Sequence, residues 1–156
     1  MIKIMFVCHG NICRSPSAEF IMKNMVNKSG LSEYYYISSS ATSTEEIICG
    51  VGNPIYPAAK YQLEINGIPH DEHRATILKK SDYDKYDYFV GMDSANIRNM
   101  HKIFGSDPKS KISKLMSYTG ADSDVSDPWY SGRFNEVFDD ITRGCKALLD
   151  YTKSLI

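Results

Sequence analysis

The chain has 156 residues, 42% of them hydrophobic and 24% charged, a globular composition that excludes a disordered segment and leaves room for one core rather than two. Eighteen Lys and Arg against 19 Asp and Glu leave a net charge of -1, without the basic excess that nucleic acid or an anionic membrane surface requires. Four cysteines are too few for a disulfide scaffold, no secretory leader precedes them, and the apolar run Met1 to Val7 is far too short to cross a bilayer. The expectation is one soluble domain spanning residues 1–156, in the reducing cytoplasm, with neither nucleic acid nor membrane as a partner.

Ile2 to Val7 has the pattern of a buried parallel strand. Cys8 to Ser15 contains Gly10 and Asn11 and reads as a loop. Ser15 then stands as N-cap and Pro16 as first helical residue. From Ser17 to about Asn27, Ala18, Ile21, Met22 and Met25 recur at helical spacing, and Gly30 closes that helix. Tyr34 to Ser40 reads as a second strand, whose run of tyrosines suits strand packing. Thr42 to Pro57 is a long polar loop, and Ala58 to Asn66 a second helix ended by Gly67. Tyr86 to Met92 is a third strand. Asp93 caps a helix to Phe104, which Gly105 ends. Lys111 to Met116 is a short fourth strand, and Gly120 to Gly132 a polar loop holding Asp127-Pro128-Trp129-Tyr130. In the closing helix, Phe134 to about Leu155, the residues Val137, Ile141, Cys145, Leu148 and Leu149 form a buried stripe. Strands alternating with helices specify an α/β domain with a parallel sheet.

The chemistry concentrates where the first strand runs into Cys8-His9-Gly10-Asn11-Ile12-Cys13-Arg14-Ser15-Pro16. Open α/β sheets bind ligands at the carboxyl ends of their strands. A helix N-terminus adds unpaired N–H groups and the positive end of a dipole. A short loop between the two aims its N–H groups at one centre and makes an anion cradle. Gly10 and Asn11 tolerate the left-handed turns this needs, and the planar fork of Arg14 can hold two phosphate oxygens. Cysteines at helix N-termini and beside cations ionise readily, and a thiolate beneath a bound phosphate is poised for in-line attack on phosphorus. Alone, Cys8 reads as a small buried hydrophobe at a strand end. That reading leaves Gly10, Asn11, Arg14 and the Ser15-Pro16 start unexplained. A zinc site on Cys8, His9 and Cys13 lacks a fourth ligand at usual spacing.

These residues resemble the low-molecular-weight protein tyrosine phosphatases, and the resemblance runs over nearly the whole chain. It rests on the loop Cys8 to Pro16, on Ala18-Glu19 and on Ser39 to Ser43. It extends to His73-Arg74-Ala75, Met92-Asp93, Asp127-Pro128-Trp129-Tyr130 and the closing helix with Gly144-Cys145 and Leu148-Leu149. It implies a four-stranded parallel sheet of flavodoxin-like order flanked by helices. It also implies a phosphatase that hydrolyses protein phosphotyrosine and small aryl phosphates through a phosphocysteine, without metal or cofactor, inhibited by inorganic phosphate and other oxyanions. By this resemblance Cys8 is the nucleophile, Arg14 the phosphate clamp and Asp127 the general acid. The substrate meets His9, Gly10, Asn11, Ile12, Cys13 and Ser15 along the loop, with Trp129 and Tyr130 as walls for the ring. Ser15 bonds the Cys8 thiolate, and Asn11 holds the loop's shape with support from Ser39 and His73. Cys13 can form a protective disulfide with Cys8.

Chemistry independently supports Asp127, because a phenolate leaving group needs a proton as its P–O bond breaks. Asp107-Pro108, a second Asp-Pro, reads as an ordinary turn. His9 stands where the family carries an apolar or small polar residue, and either tunes the pocket mouth or faces solvent. The Thr44 to Asn53 segment is longer than usual, with Glu45, Glu46, Ile47 and Ile48 where relatives place an aromatic wall. Cys49 within it reads as an incidental thiol. Three competing readings share the loop. A thiol-dependent arsenate reductase would need relay cysteines, and none lies between Cys49 and Cys145. An arginine phosphatase tends to carry Thr where this chain has Ile12. A phosphate-binding module would need no nucleophile.

Overall fold

The first strand, β1 (Ile2–Cys8), is the axis of the molecule. Its alternating side chains enter two separate cores, as a pleat buried on both faces requires. Ile4, Phe6 and Cys8 join the larger core, against α1 (Arg14–Lys28) and α5 (Phe134–Lys153). Met5 and Val7 join the smaller one, with Leu78, Phe89, Met100 and Phe104. The computed structural model describes the whole chain, Met1 to Ile156.

β1 pairs in parallel with β2 (Tyr35–Ala41) on one side and with β5 (Tyr88–Gly91) on the other, and β6 (Ile112–Lys114) closes that edge. The sheet order is β2-β1-β5-β6. This is the expected flavodoxin-like order, with its switch of direction between β1 and β5. The carboxyl ends of both strands open on that crevice, so the loop after Cys8 and the helix start at Asp93 face one another. The helix α3 (Ser94–Phe104) begins there as expected. Asp93 Oδ1 accepts from Asn96 N, while Asn96 Oδ1 accepts from Asp93 N, a reciprocal cap. The stripe expected on α5 is fully sequestered. Burial pushes the Cys145 thiol far up and keeps it neutral.

Several boundaries differ from expectation. α1 starts at Arg14, with Cys13 as N-cap and no side-chain cap. Ser15 is therefore inside the first turn rather than ahead of it, and its hydroxyl is used by Cys8. Pro16 still sits in the first turn, where a missing N–H costs nothing. The Thr42 to Pro57 segment is not all loop. β3 (Ile47–Ile48) and β4 (Val51–Gly52) form a two-residue hairpin, tied back through Ala75 N to Asn53 O. α2 (Pro57–Ile65) takes its proline at the first helical position. The fourth strand ends at Lys114, because Leu115 to Thr119 tighten into a 3₁₀ turn against α5. Within the Gly120 to Gly132 loop lies the single turn α4 (Pro128–Ser131). Asp107 is the structural turn expected of it, accepting Lys111 N and Ile112 N.

Gly144 is where α5 meets that 3₁₀ turn. A Cβ there would lie 2.5 Å from Leu115 Cγ. Gly144→Ala is expected to lower stability by about 1–3 kcal/mol through overpacking, read as a shift in the urea midpoint. An unchanged midpoint would mean the helix and turn separate freely.

Candidate active site

Asn11 organises the loop between β1 and α1. It is 0% exposed and left-handed, with φ 59°. Its Nδ2 donates to Ser15 Oγ at 2.8 Å, and its Oδ1 accepts from Thr76 N at 3.0 Å. Its carbonyl accepts from His73 Nε2 at 2.8 Å, which fixes a proton on that ring nitrogen. Because Ser15 Oγ already accepts from Asn11, its own proton is free for Cys8 Sγ, 3.0 Å away. Asn11 N–H reaches the same sulfur at 3.3 Å. Two donors thus converge on Cys8, as stabilising a thiolate requires.

Arg14 lies behind the loop, 3% exposed. Its Nη1 donates to Asp93 Oδ2 at 2.7 Å and to Val125 O at 2.9 Å, and its Nη2 stands 3.8 Å from Asp127 Oδ2. Burial works against the guanidinium charge, but Cys8, Asp93 and Asp127 outweigh it and hold its pKa above the ordinary arginine value. The second loop thiol behaves oppositely. Burial, then the charge of Cys8, push Cys13 up to about 12, and Arg14 only partly offsets them. Cys13 is therefore a neutral thiol at physiological pH.

Above Cys8 and Arg14 opens a cleft of about 410 Å³. Gly10, Asn11, Ile12 and Cys13 line its floor with them, and Asp127, Trp129 and Tyr130 its far wall. Asp127 Oδ1 caps α4 by accepting from Trp129 N, which leaves Oδ2 toward Arg14 and the cleft. Trp129 and Tyr130 are 63% and 88% exposed. Tyr56 supplies the aromatic wall that the Thr44 to Asn53 segment lacks. It stacks on Phe134 at 5.6 Å and meets Trp129 edge-on at 5.2 Å. On the opposite rim His9 Nε2 pairs with Glu45 Oε2 at 3.0 Å, so His9 marks the mouth rather than the floor. Glu46 Cγ lies 3.1 Å from where a Cβ on Gly10 would stand, a close approach that suits glycine there. Cys49 is exposed at the hairpin tip.

Ser39 makes no hydrogen bond to Asn11. Its hydroxyl donates to Glu19 Oε1, and only its carbonyl, accepting from Thr76 Oγ1, leads to the residue that holds Asn11. Thr76 and the Asp93 bond to Arg14 are absent from the sequence reading. The sheet order brings Asp93, after β5, to the same edge as Cys8, but no local pattern marks its partner. Thr76 acts through its backbone, which no sequence pattern marks.

Asn11→Ala would keep the left-handed backbone without either side-chain bond. The expected cost is about 2–4 kcal/mol of stability, together with a large loss of inorganic phosphate binding by calorimetry. Phosphate affinity within twofold or so of the parent would show that the loop holds its shape without this side chain.

A family model described as low molecular weight phosphotyrosine protein phosphatase matches residues 3–155. The low molecular weight protein-tyrosine-phosphatase YfkJ of Bacillus subtilis is 36% identical over 151 residues, covering 96% of this chain and 94% of that one. Its crystal structure superposes with a TM-score of 0.92, over 99% of this chain and 96% of the other. The low molecular weight protein tyrosine phosphatase of Streptococcus pyogenes gives 0.85 at 36% identity, over 97% and 93%. A Drosophila arginine phosphatase gives 0.86 at 29% identity, over 97% and 98%. With the family model reaching from the first strand to the closing helix, the chain belongs to the low molecular weight phosphotyrosine protein phosphatase family.

Proposed function

We propose that residues 1–156 form one phosphatase domain that hydrolyses protein phosphotyrosine, and small aryl phosphates, through a phosphocysteine on Cys8. The observation that carries this is the shared cleft: Cys8 and Asp127 both line it, over the buried Arg14. The loop N–H groups and Arg14 hold the phosphoryl oxygens, where transferring charge is best stabilised. The Cys8 thiolate attacks phosphorus in line. As the bond to the phenolic oxygen breaks, Asp127 gives that oxygen its proton. Asp127, now a carboxylate, takes a proton from water, whose oxygen attacks phosphorus. The S–P bond breaks, and the returning thiolate regains the Ser15 hydroxyl and the Asn11 N–H. Inorganic phosphate and similar oxyanions occupy the same cradle and inhibit.

Ile12, Tyr56, Trp129 and Tyr130 give the cleft apolar walls fit for a phenyl ring. They support an aryl leaving group over a guanidinium, for which Ile12 offers no hydroxyl. His9, by its pairing with Glu45, is a rim residue that the protein flank of the substrate meets. No helix of the chain is long and apolar enough to cross a membrane. The proposed compartment is the cytoplasm, where Cys8 stays reduced. Within it Cys8 and Cys13 form a redox pair. Peroxide converts the Cys8 thiolate to a sulfenic acid. Cys13 sulfur then displaces its hydroxyl as water and closes the disulfide. Loss of the Cys8 charge removes one of the three effects, after burial and beside the Asp127 charge, that hold Cys13 protonated.

Cys8→Ser is expected to abolish turnover of a phosphotyrosine peptide while leaving phosphate binding and fold largely intact. A phosphoarginine peptide serves as the control, and its faster hydrolysis by the parent would overturn the aryl reading. Asp127→Ala is expected to cost about 10²–10⁴ in kcat/KM, which reports the steps through loss of the leaving group, on phosphotyrosine and far less on a nitrophenyl ester. Equal losses on both substrates would assign the proton to another group. After mild peroxide, peptide mapping should find Cys8 joined to Cys13, with activity restored by a dithiol. Over-oxidised Cys8 beside free Cys13 would argue against the pair.

A further inference from the structure

The loop that carries Asp127 is not anchored at Asp127. Its fixed point is Val125, fully buried, whose N–H donates to Met92 O at 2.9 Å and whose carbonyl accepts from Arg14 Nη1 at 2.9 Å. Just ahead of it, Asp124 turns back to the start of α3. Its Oδ1 accepts from Ser94 N at 3.1 Å and Ser94 Oγ at 3.2 Å. The third donor to that oxygen is Lys114 Nζ at 2.9 Å. Lys114 stands at the carboxyl end of the edge strand β6, with only 12% of its side chain exposed. The same ammonium also donates to Ser94 Oγ at 3.2 Å and to Asp122 O at 3.4 Å. One cation thus ties β6, the first residue of α3 and two residues of the acid-bearing loop together.

A surface ion pair by itself adds little to stability, and this one lies outside both cores. Its place in the chain is what distinguishes it. Three residues beyond Asp124, Asp127 has only Trp129 N and the longer approach to Arg14 to hold its carboxyl. From there to Gly132 the loop is mostly exposed. The position of the acid over the cleft is thus set from two ends, by the stem at Asp124 and Val125 before it and by the buried Pro128 and the Tyr56–Trp129 contact after it. Catalytic proton transfer is steep in distance, and a shift of about 1 Å can cost up to 10²-fold.

We infer that Lys114 is a positioning residue: by clamping Asp124 onto Ser94 it fixes the stem of the acid loop, and so sets where Asp127 delivers its proton. The inference rests on the reading of Asp127 as general acid. It needs no contact between Lys114 and substrate. The Arg14 bond to Asp93 involves neither Lys114 nor Asp124, and a disturbance of the phosphate cradle would be read as an equal loss on both esters below.

The test measures kcat/KM, which reports steps through departure of the leaving group, on phenyl phosphate and on p-nitrophenyl phosphate. Lys114→Met keeps the stem and removes the charge. It should lose about tenfold on phenyl phosphate and under about twofold on the nitrophenyl ester, whose phenolate leaves with little help. Lys114→Arg should recover most of the loss. Asp124→Asn reaches the same clamp from the loop side, and serves also where the methionine variant fails to fold. It should show the same leaving-group dependence, and the double variant should be no worse than either single one. Equal losses on both esters, no loss, or additive losses in the double variant would overturn the inference and leave Lys114 a structural tie. Asp127→Ala is run beside them. If it shows the leaving-group dependence and the clamp variants do not, only the clamp falls. If Asp127→Ala itself shows none, the reading of Asp127 falls and the clamp with it.

Discussion

A non-glycine residue held left-handed is the constraint on which the site depends. Asn11 carries a conformation that costs most side chains about 1–2 kcal/mol, and it is kept there by its own amide. One end of that amide bonds Ser15, the other bonds the backbone of Thr76, and the residue's carbonyl is held by His73. The loop is thus bound to its own helix on one side and to the Arg74–Thr76 segment on the other. A glycine would adopt the same φ and would bring neither bond. The side chain also spends the acceptor side of Ser15, and that aims the hydroxyl proton at Cys8. Backbone shape and electrostatics at the sulfur are two consequences of one amide.

The second constraint is the burial of a positive charge in a chain of net charge -1. A guanidinium as deep as Arg14 is costly unless it is paired and hydrogen-bonded. Asp93 and the Val125 carbonyl meet that need on one nitrogen. Asp93 does two jobs with its two oxygens, capping α3 with one and holding Arg14 with the other. The sheet order makes this possible, because β1 and β5 are neighbours whose carboxyl ends flank the switch point. Arg14, the proposed phosphate clamp, is oriented by the helix across the crevice, and that helix start is fixed by Asn96.

Legibility in the sequence followed the range of the interactions. β1, the loop and α1 are contiguous, and their signals are local: an apolar run, Gly10 and Asn11, an arginine before Ser-Pro. The Asp93 cap was readable for the same reason. Contacts across the crevice were not. Nothing in the composition of Met92-Asp93 marks a partner 79 residues earlier. The boundary of α1 was misplaced because Ser15 has the chemistry of an N-cap, and tertiary structure put its hydroxyl to another use. The hairpin at Ile47 to Gly52 was missed because strands of two residues have no period to detect. Its register is set by the approach of Gly52 to Ala75, where a Cβ would lie 2.0 Å from the carbonyl oxygen. Tyr56 falls inside the segment that reads as a long polar loop. Its role as a wall comes from Phe134 and Trp129, both far along the chain.

The two halves of the site differ in mechanical character. Asn11, Ser15 and Arg14 are buried and bonded on every side, as an anion cradle must be if its N–H groups are to converge without reorganisation. Asp127, Trp129 and Tyr130 sit on a single helical turn at the surface, closed by Gly132 in the left-handed region. A protein substrate has to bring a phosphotyrosine down to Cys8 while its own chain stays outside. A rigid floor and an exposed, anchored far wall meet that demand together. In the proposed reaction the floor reads the phosphate, which is the same in every substrate, and the rim of His9, Glu45, Trp129 and Tyr130 is left to meet what differs between them.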